Sequence, residues 1–92
     1  MGRSKPSPRH LTMQRSIVPQ SERKKYMERL RQKRDYFARA DCRFWVFEEA
    51  SLPGAFLEFI EAADAETLVN AQAAAPERML DPNRIYREVE IG

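Results

Sequence analysis

The chain has few of the residues that hold small folds together covalently or through a metal. Among its 92 residues there is one cysteine, Cys42, and one histidine, His10. A single cysteine excludes an intrachain disulfide, and a lone cysteine far from a lone histidine lacks the spacing of a zinc or iron–sulfur site. We therefore predict no metal and no bound cofactor. So low a cysteine content is typical of proteins in a reducing cytoplasm.

Long apolar runs and glycine are also scarce. No stretch approaches the ~20 apolar residues of a membrane-spanning helix, and no apolar segment follows the basic N-terminus as in a signal peptide. Three glycines are too few to suggest a phosphate-binding loop. With 42% hydrophobic and 33% charged residues, the composition is that of an ordinary globular domain.

The length leaves room for a single domain. Residues 1–9 contain two prolines, three basic side chains and nothing to bury, which predicts a disordered basic arm before one domain over 10–92. Charge is uneven along the chain, because residues 1–43 carry a formal charge of +9 and residues 44–92 carry −7. Halves of opposite sign attract each other, within one subunit or between two.

Hydrophobic periodicity and turn residues divide the domain into six elements. Alternation with period two predicts strands, and a stripe with helical spacing predicts amphipathic helices. The predicted elements are a strand over 11–18, a basic helix over 22–40, strands over 43–48 and 55–61 joined by a Pro53-Gly54 turn, a helix capped by Asp64 and running to about Ala75, and a strand over 85–91. The βαββαβ order predicts an α+β, ferredoxin-like fold with a four-stranded antiparallel sheet.

The second and third strands along the chain, over 43–48 and 55–61, are apolar on both faces. Phe44 and Val46 point to one side, and Trp45 and Phe47 point to the other. Two short helices cover only one face of a sheet, so the second face would expose several large side chains. We predict an isologous homodimer that pairs these faces. The alternative is a monomer whose loop over 76–84 covers the second face.

The order of these elements resembles the dimeric α+β barrel superfamily, and more narrowly its antibiotic-biosynthesis-monooxygenase-like domains. The resemblance spans about residues 11–91 and rests on pattern rather than on a catalytic motif. It is carried by the first strand ending at Pro19, the basic helix, Phe44-Trp45-Val46-Phe47-Glu48, Pro53-Gly54, Phe56-Leu57-Glu58-Phe59 and the helix from Asp64. The resemblance implies a homodimer that binds a small hydrophobic or aromatic molecule between sheet and helices.

Two activities are consistent with that resemblance. One is cofactor-independent oxidation of the monooxygenase type, and the alternative is a non-catalytic ligand-binding or protein-interaction module. Haem-degrading members usually have a histidine on or near the second helix, whereas the histidine of this chain, His10, lies at the head of the first strand. Haem ligation is therefore not predicted.

Glu58 is the most informative candidate for catalysis. It lies between Phe56 and Ile60 on one strand face, where burial would raise its pKa and a cation would lower it. Arg15 interrupts the apolar face of the first strand, which neighbours the third strand in a ferredoxin-like sheet. We therefore predict an Arg15–Glu58 pair, with Tyr86 on the last strand as a further proton donor. A structural ion pair at the interface is the alternative.

Aromatic residues suggest where a ligand would lie. Trp45 and Phe47 share a strand face, and together with Phe56 they are the candidate walls of a pocket for a flat aromatic molecule. Packing in the core or the dimer interface is the alternative. RNA binding is disfavoured because the first strand lacks aromatics and the third carries two carboxylates and no basic residue.

Overall fold

Two helices pack on one face of a four-stranded antiparallel sheet, in a computed structural model that describes residues 8–76 and 84–92. The strands are β1 His10–Ile17, β2 Arg43–Glu48, β3 Ala55–Ala62 and β4 Tyr86–Arg87, and the helices are α1 Arg23–Arg39, preceded by a 3₁₀ turn at Gln20–Glu22, and α2 Ala65–Ala73. The predicted α+β class and antiparallel sheet are confirmed, and the arrangement is compatible with a ferredoxin-like fold. Residues 1–7 of the predicted arm and 77–83 of the predicted loop lie outside the described residues.

The strands lie side by side in the order β2-β3-β1-β4, and every neighbouring pair is antiparallel. β3 is central, with Glu58 directly opposite Gln14 on β1 and Val46 on β2. Residues that lie opposite each other in a sheet share a face, and the next residue along each strand lies on the other face. This register therefore assigns every strand side chain either to the face covered by the helices or to the open face.

The hydrophobic core lies between the helices and the covered face. Leu68 of α2 is fully buried, which is the outcome expected for the apolar stripe of an amphipathic helix. The core forms two adjoining clusters, one containing Phe37, Cys42, Ile60, Ala62, Leu68 and Ala71 and the other containing Tyr26, Leu30 and Phe56. The hydroxyl of Tyr36 donates to the carbonyl of Ala71 at 2.7 Å, so α1 and α2 are also joined directly.

The ends of the helices carry the local signals that stop and start helical structure. At the end of α1, Asp41 adopts a φ of 61°, and the amide of Cys42 donates to the carbonyl of Phe37 at 2.8 Å. This is the Schellman arrangement, which satisfies helix carbonyls that have no partner within the helix. At the start of α2, the predicted cap is confirmed, because the Asp64 carboxylate accepts from the amide of Thr67 at 2.8 Å.

The turn between β2 and β3 requires glycine. Gly54 has a φ of +94°, and the amide of Ala55 donates to the carbonyl of Leu52 at 3.1 Å. A Cβ atom on Gly54 would lie 2.7 Å from the carbonyl oxygen of Val18. The Pro53-Gly54 turn that the sequence predicts is therefore present, and it brings the chain against the end of β1.

The last strand is much shorter than the predicted strand over 85–91. β4 contains only Tyr86 and Arg87, and beyond it Ile91 is 93% exposed. Pairing continues only through the amide of Glu88, which donates to the carbonyl of Arg9 at 2.8 Å. Hydrogen-bonded pairs alternate along an antiparallel ladder, so the next pair after Arg9 and Glu88 would need residue 7, which lies outside the described residues. Within the described ranges, neither helix has the length and apolarity needed to cross a membrane.

Candidate functional site

The candidate site residues lie on two different faces of the sheet. Glu58 and Phe56 point towards the helices, because they share a parity on β3 with the core residue Ile60. Arg15, Trp45 and Phe47 have the opposite parity and lie on the open face, as does Tyr86, which is opposite Leu11. The sheet itself therefore separates the predicted catalytic carboxylate from the other two predicted catalytic side chains.

Glu58 is the centre of a buried polar group on the covered face. It is only 2% exposed, and its two carboxylate oxygens have different partners on α1. The hydroxyl of Tyr26 donates to Oε2 at 2.8 Å, and Nζ of Lys33 donates to Oε1 at 2.9 Å. Tyr26 and Lys33 are seven residues apart, so two helical turns bring them to one stripe of α1.

This group is satisfied as a hydrogen-bonded ion pair. The Lys33 side chain is largely buried and the Glu58 side chain almost fully so, with exposed fractions of 16% and 3%. Within the described part of the chain, no buried side-chain nitrogen or oxygen lacks a hydrogen-bond partner. A carboxylate closed off in this way positions α1 on the sheet, and it has no open path to a ligand.

The predicted Arg15–Glu58 pair is wrong. Gln14, not Arg15, lies opposite Glu58, so the Arg15 side chain emerges on the open face. There its Nη2 lies 3.4 Å from Oε1 of Glu49, just past the end of β2. The two strands are neighbours as predicted, but neighbouring strands bring side chains together only when the residues have matching parity.

The open face of the sheet is an apolar surface that neither helix of the described residues covers. Ile17 is 63% exposed and Phe47 is 57% exposed. Phe59 of β3 lies at its centre, with ring centroids 6.5 Å from Trp45 and 5.7 Å from Phe47. We call this surface the open sheet face and define it by Leu11, Met13, Ile17, Trp45, Phe47, Leu57, Phe59 and Tyr86.

Phe56 does not join Trp45 and Phe47. It packs in the core with its ring centroid 4.8 Å from that of Tyr26, and Arg23 lies over its ring at 5.3 Å. Trp45 and Phe47 share a face as predicted, and Phe59 takes the place that the sequence analysis gave to Phe56. The sequence could have shown this, because Phe56 and Phe59 are three positions apart on one strand and therefore point to opposite faces.

Tyr86 lies in a groove at the end of the open sheet face. The groove has a volume of about 340 Å³ and is lined by Arg9, Leu11, Trp45, Glu61, Tyr86, Arg87 and Glu88. Arg9 bridges two carboxylates there, at 2.8 Å from Glu61 and 2.9 Å from Glu88. The hydrogen bond from Arg9 lowers the pKa of Glu88 below its ordinary value. In this groove, therefore, ion pairs between residues of the same chain lie beside the phenol of Tyr86.

A second groove, which the sequence analysis missed, runs between α1 and the edge strand β2. It has a volume of about 270 Å³ and is lined by Met27, Leu30, Arg31, Arg34, Phe44, Trp45 and Val46. The helix residues follow the spacing i, i+3, i+4, i+7, which places them on one stripe. That spacing was visible in the sequence, but the groove forms only because β2 lies beside this stripe of α1. We call it the α1–β2 groove.

Glu48 at the end of β2 joins three parts of the fold. Its carboxylate accepts from both Nη atoms of Arg23, at 2.8 and 3.1 Å, and from the amide of Gly54 at 2.9 Å. The hydrogen bonds from Arg23 and then from Gly54 lower the pKa of Glu48 from 4.5 to about 2. The charged form of Glu48 therefore ties the start of α1 to the β2–β3 turn.

The Glu48 contacts predict a specific response to acid. A carboxyl group whose pKa is lowered by folding stabilises the protein above its unfolded pKa, and that stabilisation is lost as the pH falls towards its folded pKa. We expect the Glu48→Gln variant to be less stable than the wild type at pH 7, and the gap to close between pH 4.5 and about 2. Thermal unfolding across this range measures the gap. Glu28→Gln, which removes an exposed carboxylate from α1, should show no such convergence.

The described residues give no support for metal binding or for a reactive thiol. No group of three or more histidine, cysteine, aspartate or glutamate side chains is placed to hold a metal ion within 8–76 and 84–92. Cys42 is buried in the core, and desolvation by burial raises the pKa of its thiol. It therefore behaves as a small apolar side chain rather than as a nucleophile.

Comparison of the sequence with family models and with curated proteins identifies no relative. No protein-family model matches the chain, and no curated protein matches its sequence. The α+β class and the two-sided sheet follow from the structure, whereas the likeness to monooxygenase-like domains is an expectation that rests on the residue pattern.

Proposed function

We propose that this protein is a homodimer of the dimeric α+β barrel type that binds a small hydrophobic or aromatic molecule. In this arrangement the ferredoxin-like sheets of two copies pack through their open faces. The observation that carries the proposal is the cluster of exposed apolar side chains on the side of the sheet away from the helices, which Arg15 interrupts on β1. Monomeric proteins rarely expose apolar patches larger than a few hundred Å².

A second copy is the partner that fits this surface best. Charges of both signs flank the apolar residues on the open face: Arg43, and the ion pair of Arg15 with Glu49. In an isologous dimer each surface meets itself after a two-fold rotation, so a surface carrying both signs can oppose unlike charges across the interface. A flat apolar centre and a charged border also match the usual anatomy of protein interfaces.

Ligand binding is better supported than catalysis. General acid–base chemistry requires its groups within hydrogen-bond reach of one substrate. Glu58 lies under α1, while Arg15 and Tyr86 lie on the opposite face of the sheet. Cofactor-independent oxidation that uses all three would need one substrate to reach both faces of the sheet. A binding module needs only an apolar site with a few polar groups.

The Phe47→Glu substitution tests the proposed dimer. A carboxylate placed in an apolar interface loses its hydration, so we expect the variant to be monomeric. Light scattering behind size-exclusion chromatography should give about twice 10.8 kDa for the wild type and 10.8 kDa for the variant.

The matched control is Val69→Glu, which places the same charge at a residue of α2 that is 49% exposed. The control should keep the wild-type mass. A wild-type protein that is monomeric at every dilution would overturn the proposed dimer, as would equal dissociation of both variants.

A further inference from the structure

The α1–β2 groove combines an apolar floor with two cations. Leu30 is buried at its base, and Phe44 and Val46 are half-buried because they share the helix-facing parity of β2. Met27 and Trp45 are partly exposed along its sides. A ligand seated here would therefore touch apolar atoms from both the helix and the strand.

The two arginines stand at the mouth of the groove. Arg31 makes no ion pair within the described residues, and Arg34 contacts the carboxylate of its own neighbour, Asp35, at 3.3 Å. Arg31 and Arg34 are three residues apart on the exposed side of α1, so both guanidinium groups can reach the same point beside the apolar floor. Guanidinium groups bind carboxylates through paired hydrogen bonds.

We infer that the α1–β2 groove binds a small amphiphilic anion, an aliphatic or aromatic carboxylate, with its apolar part against Leu30, Phe44 and Val46. The carboxylate is held by Arg31 and Arg34. This inference rests on the proposed ligand-binding function and names the chemical class of its ligand. Six of its seven lining residues lie on α1 or on the helix-facing side of β2, and Trp45 alone belongs to the open sheet face, so a dimer formed through that face leaves the floor and both arginines of the groove uncovered.

The volume of the groove limits the size of the ligand. At about 270 Å³ it lies just below the usual range for ligand pockets. A molecule of roughly a dozen non-hydrogen atoms fits such a space, and a ligand of that size binds at about millimolar to micromolar concentration. Decanoate, with a ten-carbon chain and one carboxylate, meets both the size and the charge requirement.

Titration with decanoate tests the inference directly. Trp45 is the single tryptophan of the chain, and it lines the α1–β2 groove, the Tyr86 groove and the open sheet face. Its fluorescence therefore detects binding without any label, and the variants described next assign that binding to the α1–β2 groove. We expect decanoate to bind saturably, with one molecule per chain by isothermal titration calorimetry, and to change the Trp45 emission. Decanol has the same chain without the charge, and it should bind about tenfold more weakly or worse because it forms no charge-assisted hydrogen bond.

Matched variants locate the site. Arg31→Gln and Arg34→Gln should each weaken decanoate binding by about fivefold to tenfold, in line with the loss of one charged hydrogen-bond donor. Lys25→Gln removes the same charge from an exposed position of α1 that does not line the groove, and it should bind decanoate as the wild type does. Equal binding of decanoate and decanol, or equal loss in all three variants, would overturn the inference.

The outcomes also separate this inference from the proposed dimer. A dimeric protein that shows no saturable decanoate binding would remove the groove ligand and leave the dimer intact. A monomer that binds decanoate saturably would support the groove ligand and overturn the proposed dimer. Sedimentation with vesicles of phosphatidylcholine and phosphatidylglycerol distinguishes a soluble anion from a lipid surface, and binding to vesicles without binding to decanoate would contradict a soluble ligand.

Discussion

Replacing Lys33 with methionine is expected to lower the free energy of unfolding by about 3–5 kcal/mol. Methionine keeps most of the length and volume of the lysine side chain but removes its charge. Glu58 would then remain buried with Tyr26 as its partner and no cation to balance it. Equilibrium unfolding in urea measures the loss as a lower midpoint with an unchanged slope.

A double variant shows whether the cost comes from an uncompensated charge. Lys33→Met combined with Glu58→Gln leaves no net charge in the core, and the amide oxygen of glutamine can still accept from Tyr26. We expect it to recover at least half of the stability lost in Lys33→Met. The exposed control Lys25→Met should change stability by less than about 0.5 kcal/mol. A loss below about 1 kcal/mol for Lys33→Met would mean that water reaches the carboxylate of Glu58.

Replacing Phe37 with alanine is expected to lower the free energy of unfolding by about 3–5 kcal/mol. Phe37 is almost fully buried and packs in one cluster with Ile60 and Leu68, so it joins α1 to the sheet and to α2. Its ring also stacks on Phe44 with centroids 5.8 Å apart. Truncation would leave a cavity bordered by three elements, which the helices could close only in part.

Graded variants separate the cavity from local effects on α1. Phe37→Leu retains much of the volume and should cost less than half as much as Phe37→Ala. Val69→Ala removes an exposed apolar side chain and should have little effect. Thermal and urea unfolding measure all three. Equal losses for alanine and leucine at position 37 would show that ring stacking, rather than filled volume, carries the stabilisation.

Local signals predicted the elements of the fold well. The Pro53-Gly54 turn, the Asp64 cap and the apolar stripe of α1 each act over a few residues, so the sequence contains all the information they need. The last strand was predicted too long, because the alternation continues to residue 91 whereas β4 ends at Arg87. The length of a strand depends on its neighbour as well as on its own residues.

The pairing of Glu58 could not be predicted in the same way. Its partners Tyr26 and Lys33 lie on a helix, 32 and 25 residues earlier in the chain. In the sequence, Lys33 is one of eight basic residues in the predicted helix over 22–40. Its ammonium group could be assigned to Glu58 only once α1 was placed over β3. The sequence pattern favoured Arg15 instead. Such a pattern indicates which strands are neighbours, but it does not give the register between them.

The sequence by itself determined which segments become helix and strand, and that the hairpin of β2 and β3 is apolar on both sides. Only the tertiary structure decided which side the helices cover. β1 turns its polar residues Thr12, Gln14 and Ser16 towards α1 and α2, and its apolar residues away from them. The physical reason is that alternation distinguishes two faces but not inside from outside. Which face becomes the inside depends on what β3 and the helices bury together. Here they bury Glu58 with its partners on α1, and the two apolar clusters of the core.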